Sequence, residues 1–167
     1  MKKNELKPIL DKSGRVVATR MNGRVSIVGW LLDKSLPEFD SIPSKVRRLC
    51  KAHILKILLA TVRKFGTDRV QVLRAKLERG EINGERYYRF DGNDKVCLIG
   101  TLAHGRRRRS TSYVDLNKFC ESIGHTQEPY SPAEFWFRFI KPGTTPDNNL
   151  FAQVAHECCE EILQRTR

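Results

Sequence analysis

Four consecutive arginines, Arg106, Arg107, Arg108 and Arg109, follow Gly105 and carry the clearest chemistry in this 167-residue chain. A planar guanidinium pairs a phosphate through two parallel N–H donors, and clustered cations gain further by releasing the counterions condensed on a nucleic acid. The run ends a longer segregation of charge. Residues 45–109 hold 18 Lys/Arg against 6 Asp/Glu, which equals the whole formal excess of +12, while residues 110–167 are mildly acidic. Arg47, Arg48, Lys51 and Arg74 belong to this basic block. So do Arg86 and Arg89, which interleave with Tyr87 and Tyr88 as stacking on unpaired bases requires. An asymmetry of this kind points to a polyanionic partner.

Other chemistry is thinly represented. Cys120-x4-His125 and His156-x-Cys158, with Cys159 beside it, supply zinc-ligand types, but at spacings of no common zinc module. Cys120 and Cys158 also fall on apolar helix faces, where a thiol is a small hydrophobe. Glu78, Glu81, Glu85, Asp91 and Asp94 cluster in sequence as a divalent-ion nuclease site requires, yet Asp91 and Asp94 sit where turns ordinarily place carboxylates. There is no phosphate loop, dinucleotide fingerprint, nucleophile elbow or zinc-protease helix. No cofactor or metal is implied, and the chain reads as non-enzymatic.

Composition sets the frame. With 40% hydrophobic and 30% charged residues, the chain suits a globular protein that buries roughly two-thirds of its unfolded surface without a staple. Five scattered cysteines, none in a C-x-x-C pair, read as reduced thiols of a cytoplasmic protein, or a nuclear one in a eukaryotic or viral setting. The longest apolar stretch, residues 54–62, is too short to span a bilayer, so no membrane partner is expected.

These residues need elements to position them. Residues 1–14 read as a polar arm and residues 15–167 as a single domain. Val16–Arg20 and Val25–Val28 flank Asn22-Gly23, the signature of a two-residue hairpin turn, and the register sets Val17 against Val28. A long helix follows from about Ser44 to Phe65, apolar nearly all round in its second half, with Lys45, Arg47, Arg48 and Lys51 at its wet end. The spacing of Val70, Leu73 and Leu77 predicts a helix over 68–79, although Val70-Gln71-Val72 also suits a strand. Arg86–Phe90 and Lys95–Ile99 around Asp91-Gly92 predict a second hairpin.

In the last third, Leu116, Phe119, Cys120 and Ile123 share one helix face closed by Gly124. Residues 133–141 carry both a helix start, Ser131-Pro132-Ala133-Glu134, and a strand-like aromatic alternation. Asp147 is the expected cap of a final amphipathic helix, whose outer face carries Glu157, Glu160 and Glu161. That acidic face reads as intrahelical pairing with solvation, or as a head-to-tail contact with the basic block of another copy.

The expected fold is thus a single α+β domain with an N-terminal β-hairpin, a long central helix, a second β-hairpin and a helical C-terminal third. The expected function is binding of DNA or RNA through phosphate contacts. The competing class is an interaction or inhibitory module docking on an acidic protein or nucleoprotein complex, and a third is a metal-dependent nuclease.

Overall fold

The computed structural model describes residues 7–10, 16–21, 24–26, 44–84, 97–105, 113–124, 132–137 and 139–167. The chain divides into two compact units, Met1–Leu49 and Cys50–Arg167. In the first, β1 (Lys7–Leu10), β2 (Val16–Met21) and β3 (Arg24–Ser26) form an antiparallel sheet in that order. Arg20 pairs with Val25 and Met21 with Arg24, the frame expected for strands flanking Asn22-Gly23. Residues 7–10, in the stretch read as a polar arm, pair with β2 through a register shift at Ile9/Leu10. Pro8 is tolerated in β1 because that strand lies at the edge of the sheet.

The expectation of an α+β fold with two hairpins is overturned. The regular elements among the described residues of the second unit are all helices, and the described residues as a whole are mostly helical. The correction is sharpest at Leu98 and Ile99, expected in the second hairpin. They open helix α3 (Leu98–His104) instead. Cys97 is extended at its entry, and its thiol accepts the Gly100 N–H at 3.4 Å, an unusual sulfur cap. The other candidate hairpin residues, 85–96, lie outside the described residues.

Helix α1 (Ser44–Phe65) ends just before Gly66, where the glycine signal placed its end. Cys50, Ile54, Ile57, Leu58 and Thr61 form its buried stripe, at the spacing of one helical face. Buried Thr61 stays satisfied by donating its hydroxyl to Ile57 O at 2.8 Å. Helix α2 (Asp68–Glu78) buries Val70, Leu73 and Leu77, so period 3.6 prevails over the short β-like run. Helix α4 (Tyr113–Ser122) buries Leu116, Phe119 and Cys120. The ambiguous aromatic segment becomes α5 (Pro132–Phe137), with Trp136 and Phe137 buried.

Helix α6 (Leu150–Arg165) buries Phe151, Val154, Ala155, Cys158 and Ile162. Its cap is Asn149, not Asp147. The Asn149 Oδ1 accepts the Phe151 and Ala152 N–H groups at 3.0 Å each, because Asn148 N–H still closes a turn onto Thr145 O. All five cysteines are unbridged and buried. No described helix is long and apolar enough to cross a membrane.

Helix α3 is central: α2, α4 and α5 all pack on it. Arg69 ties this arrangement together. Its Nη1 donates to Leu102 O at 2.7 Å and Ala103 O at 3.0 Å, carbonyls that the end of α3 leaves without helical partners. The same guanidinium lies 3.8 Å from the centroid of Phe65, whose ring stacks on Phe119. A second tie joins the α2 exit to the segment before α6. Gly143 N–H donates to Gly80 O at 2.9 Å, and Gly84 N–H donates to Ile140 O at 3.1 Å. Gly80 has φ +66°, and a Cβ there would sit 3.0 Å from Gly143 C.

Two stability changes follow. Gly80→Ala meets both positive φ and fixed backbone, and is expected to cost about 1–3 kcal/mol. Arg69→Lys keeps the charge but loses the planar stack and the fork, and is expected to cost about 1–3 kcal/mol. In urea titrations each appears as a lower midpoint at unchanged slope; a midpoint within error of wild type for Arg69→Lys would show that the fork is not structural.

Candidate nucleic-acid interface

The sequence-expected contacts separate into three groups. Arg106–Arg109, Arg86, Tyr87, Tyr88 and Arg89 lie outside the described residues. Arg47 and Arg48, on the first turns of α1, are half-buried and exposed respectively. Lys51 and Arg74, in the second unit, are partly exposed but already paired. Lys51 Nζ lies 2.7 Å from Glu161 Oε2, and Arg74 Nη1 donates to Glu160 Oε1 at 2.9 Å. Glu161 also pairs with Arg165 one turn along α6.

The α6 carboxylates therefore meet basic residues of the same chain. The intrahelical half of the sequence reading holds for Glu161 and Arg165, and the cross-helix half was not foreseen. The proton equilibria agree with the geometry. The hydrogen bond from Lys51 holds the Glu161 carboxyl below the usual carboxylate range, and the same contact pushes the Lys51 ammonium up.

The remaining cations of the 68–79 segment are engaged too. Arg69 has the structural role given above. Arg79 forks onto Glu81 through Nε at 2.7 Å and Nη2 at 2.9 Å, and Lys76 Nζ lies 3.6 Å from the same carboxylate. A segment that reads as four surface cations is thus largely neutralised where it stands.

What sequence reasoning missed is the outer side of α1. This helix carries seven Lys/Arg and no Asp or Glu, a signal visible in the sequence once its boundaries are known. Lys56 and Arg63 project opposite the buried stripe of Cys50, Ile54 and Leu58, and Lys64 lies beside them at the last turn. All three are exposed and have no acidic partner among the described residues. Lys56 and Arg63 are seven residues apart, about 10 Å along the axis, which is roughly three steps of a duplex strand. Ala52, Leu59 and Ala60 lie on the same side, between and beside the cations.

The other candidate chemistries take definite form. Cys120, Cys158 and Cys159 are buried. Burial also pushes the Cys159 thiol well up, away from the thiolate that a metal requires. Among the described residues, Glu78, His156 and Glu160 place their ligand atoms within 4.8 Å of one another. His156 Nε2 lies 2.9 Å from Glu78 Oε1, and the Arg74 guanidinium contacts both carboxylates, at 3.7 Å from Glu78 and 2.9 Å from Glu160. A guanidinium therefore already pairs with both carboxylates. Of the sequence cluster proposed for a divalent ion, Glu78 and Glu81 turn to different partners, and Glu85, Asp91 and Asp94 lie outside the described residues.

One titratable group sits beneath the exposed face of α1. His53 Nδ1 accepts the Trp136 indole N–H at 3.1 Å, which requires the neutral imidazole. Burial, and secondly the nearby Lys56, lower its pKa below the ordinary 6.5. The unfolded chain therefore takes up this proton first as pH falls. The contribution of His53 to stability is complete above about pH 6.5 and is lost as pH drops toward the folded value. Thermal melts from pH 7.5 to pH 5 should show wild type losing its advantage over His53→Gln, which keeps an acceptor but cannot titrate. Parallel profiles for the two proteins would contradict this.

No protein family matches this chain, and neither a curated protein nor a solved structure is similar to it, so its function is argued from geometry and charge alone.

Proposed function

We propose that this protein binds nucleic acid through its phosphate backbone, without catalysis, using the outer side of α1 and the arginine run that follows α3 in the sequence. The observation that carries the reading is the exposed row Lys56, Arg63 and Lys64, unpaired among the described residues on a helix devoid of carboxylates. Such a row attracts any polyanion, and a rigid helix holds its cations at fixed spacing without the entropy cost of ordering a tail. The exposed side offers Lys, Arg and apolar residues rather than Asn or Gln, which favours contact with phosphates over reading of adenine edges.

The test is a salt titration of binding to a labelled 20-base-pair DNA and to a single-stranded RNA of equal length. Binding is expected to weaken linearly in log K against log salt. Replacing Lys56, Arg63 and Lys64 by Gln should flatten the duplex slope by roughly 2.7, about 0.9 for each phosphate contact. Replacing Arg106–Arg109 by Ala should flatten it by up to roughly 3.6 on the same scale. Absence of salt-sensitive binding to both nucleic acids, with stoichiometric capture of an acidic protein instead, would establish the competing interaction-module reading.

A further inference from the structure

The acidic edge of α6 lies against basic residues that the sequence alone assigns to the partner. Lys51 on α1 and Arg74 on α2 both belong to the basic block, both are about one-third exposed, and both are held by α6 carboxylates, Glu161 and Glu160. Glu78 adds a second acidic contact to Arg74, and Glu157 adds a further negative field on Lys51. Helix α6 cannot lift away to release them. Its inner side, Phe151, Val154, Ala155, Cys158, Cys159 and Ile162, is part of the core. Cys158 Sγ also lies 3.8 Å from Lys51 O, which fixes the two helices against each other at the pair itself.

Resting on the nucleic-acid reading above, we infer that Glu160 and Glu161 act as a built-in competitor for phosphate, which removes Lys51 and Arg74 from the contact set and leaves Lys56, Arg63 and Lys64 as the cations that this part of α1 offers. A phosphate reaching Lys51 must displace Glu161, and the displaced carboxylate stays anchored on a helix that does not move. The approaching anion then faces a like charge at short range, so the exchange gains little. Nor is a counterion released there, because a phosphate that Lys51 and Arg74 do not pair keeps its own condensed cation. Lys51 and Arg74 thus contribute nothing to the salt slope of the wild-type protein.

A double-mutant cycle tests this with the full chain and the same duplex DNA. Glu160→Gln/Glu161→Gln keeps shape and one acceptor oxygen on each side chain while removing both charges. It should steepen the slope by roughly 1.8, two cations at about 0.9 each. Adding Lys51→Gln and Arg74→Gln in that background should remove the gain, whereas the same pair in wild type should leave the slope unchanged. Glu121→Gln, an exposed carboxylate on α4, controls for the simple change in net charge and should not steepen the slope.

Circular dichroism and melting temperature confirm that each variant folds. If a variant melts early, the wild-type comparison with Lys51→Gln alone and Arg74→Gln alone still decides, because either one flattening the slope overturns the inference. A wild type that binds with salt sensitivity, combined with an unchanged slope in the glutamate variant, overturns it while leaving the nucleic-acid reading intact. A wild type that binds neither DNA nor RNA overturns both.

Discussion

The helical unit depends on one guanidinium. Arg69 leaves the first turn of α2, lies flat on Phe65 at the end of α1, and forks into the last carbonyls of α3, while Phe119 of α4 completes the aromatic stack. It joins α2 to three other helices, each of which supplies a group that meets it. The carbonyls of Leu102 and Ala103 lack helical donors and carry the negative end of the α3 dipole. The aromatic faces carry a quadrupole that attracts a cation. A lysine answers one of these demands at a time; a planar fork answers them together. Arg69 is therefore a charge that makes the fold, in a chain whose charges look at first as though they exist for a partner.

That distinction reorganises the basic block. Its cations divide by what their surroundings already provide. Arg69 is satisfied by carbonyls and rings. Lys51, Arg74, Lys76 and Arg79 are met by carboxylates of α6, the end of α2 and the following turn. Lys56, Arg63 and Lys64 meet none among the described residues. Exposed pairs of this sort each contribute little to stability, typically below about 1 kcal/mol. Their effect on the surface potential is larger, because each removes a positive site from the field that a polyanion senses. The count of 31 Lys and Arg residues overstates the cations on offer, since carboxylates of the same chain already hold several of them.

How much of this was legible in the sequence depends on the range of each interaction. Helices α1 and α6 declare themselves through period, and α1 also through its glycine stop, which are local signals, whereas the period of α2 competes with a short strand-like run. The cap of α6 was displaced by two residues because Asp147 and Asn149 are equally good caps on paper, and only the turn closing on Thr145 decides between them. The start of α3, Leu98 and Ile99, reads as a strand for a clear reason. A seven-residue helix buried on every side shows no amphipathic period, and Val96-Cys97-Leu98-Ile99 is indistinguishable from a buried strand. Gly100 inside it, and a cysteine at its cap, removed the remaining helix signals. The pairing of Arg74 with Glu160 spans 86 positions, and nothing local announces it.

The arrangement of α6 shows why the acidic residues lie where they do. A compact body with a large excess of one charge repels itself, and that repulsion weakens the folded state most where cations crowd. Lys51 on α1 and Arg74 on α2 face the same neighbour, α6. Helix α6 packs against α2 with its apolar side, so its polar edge borders that region, and carboxylates there relieve the repulsion. Relief at the outer side of α1 would need acids on α1 itself, and it has none. The same carboxylates that favour the compact state thus narrow the surface on which a polyanion can gain. Stability and affinity pull in opposite directions at Lys51 and Arg74, whereas at Lys56, Arg63 and Lys64 no described carboxylate opposes a partner.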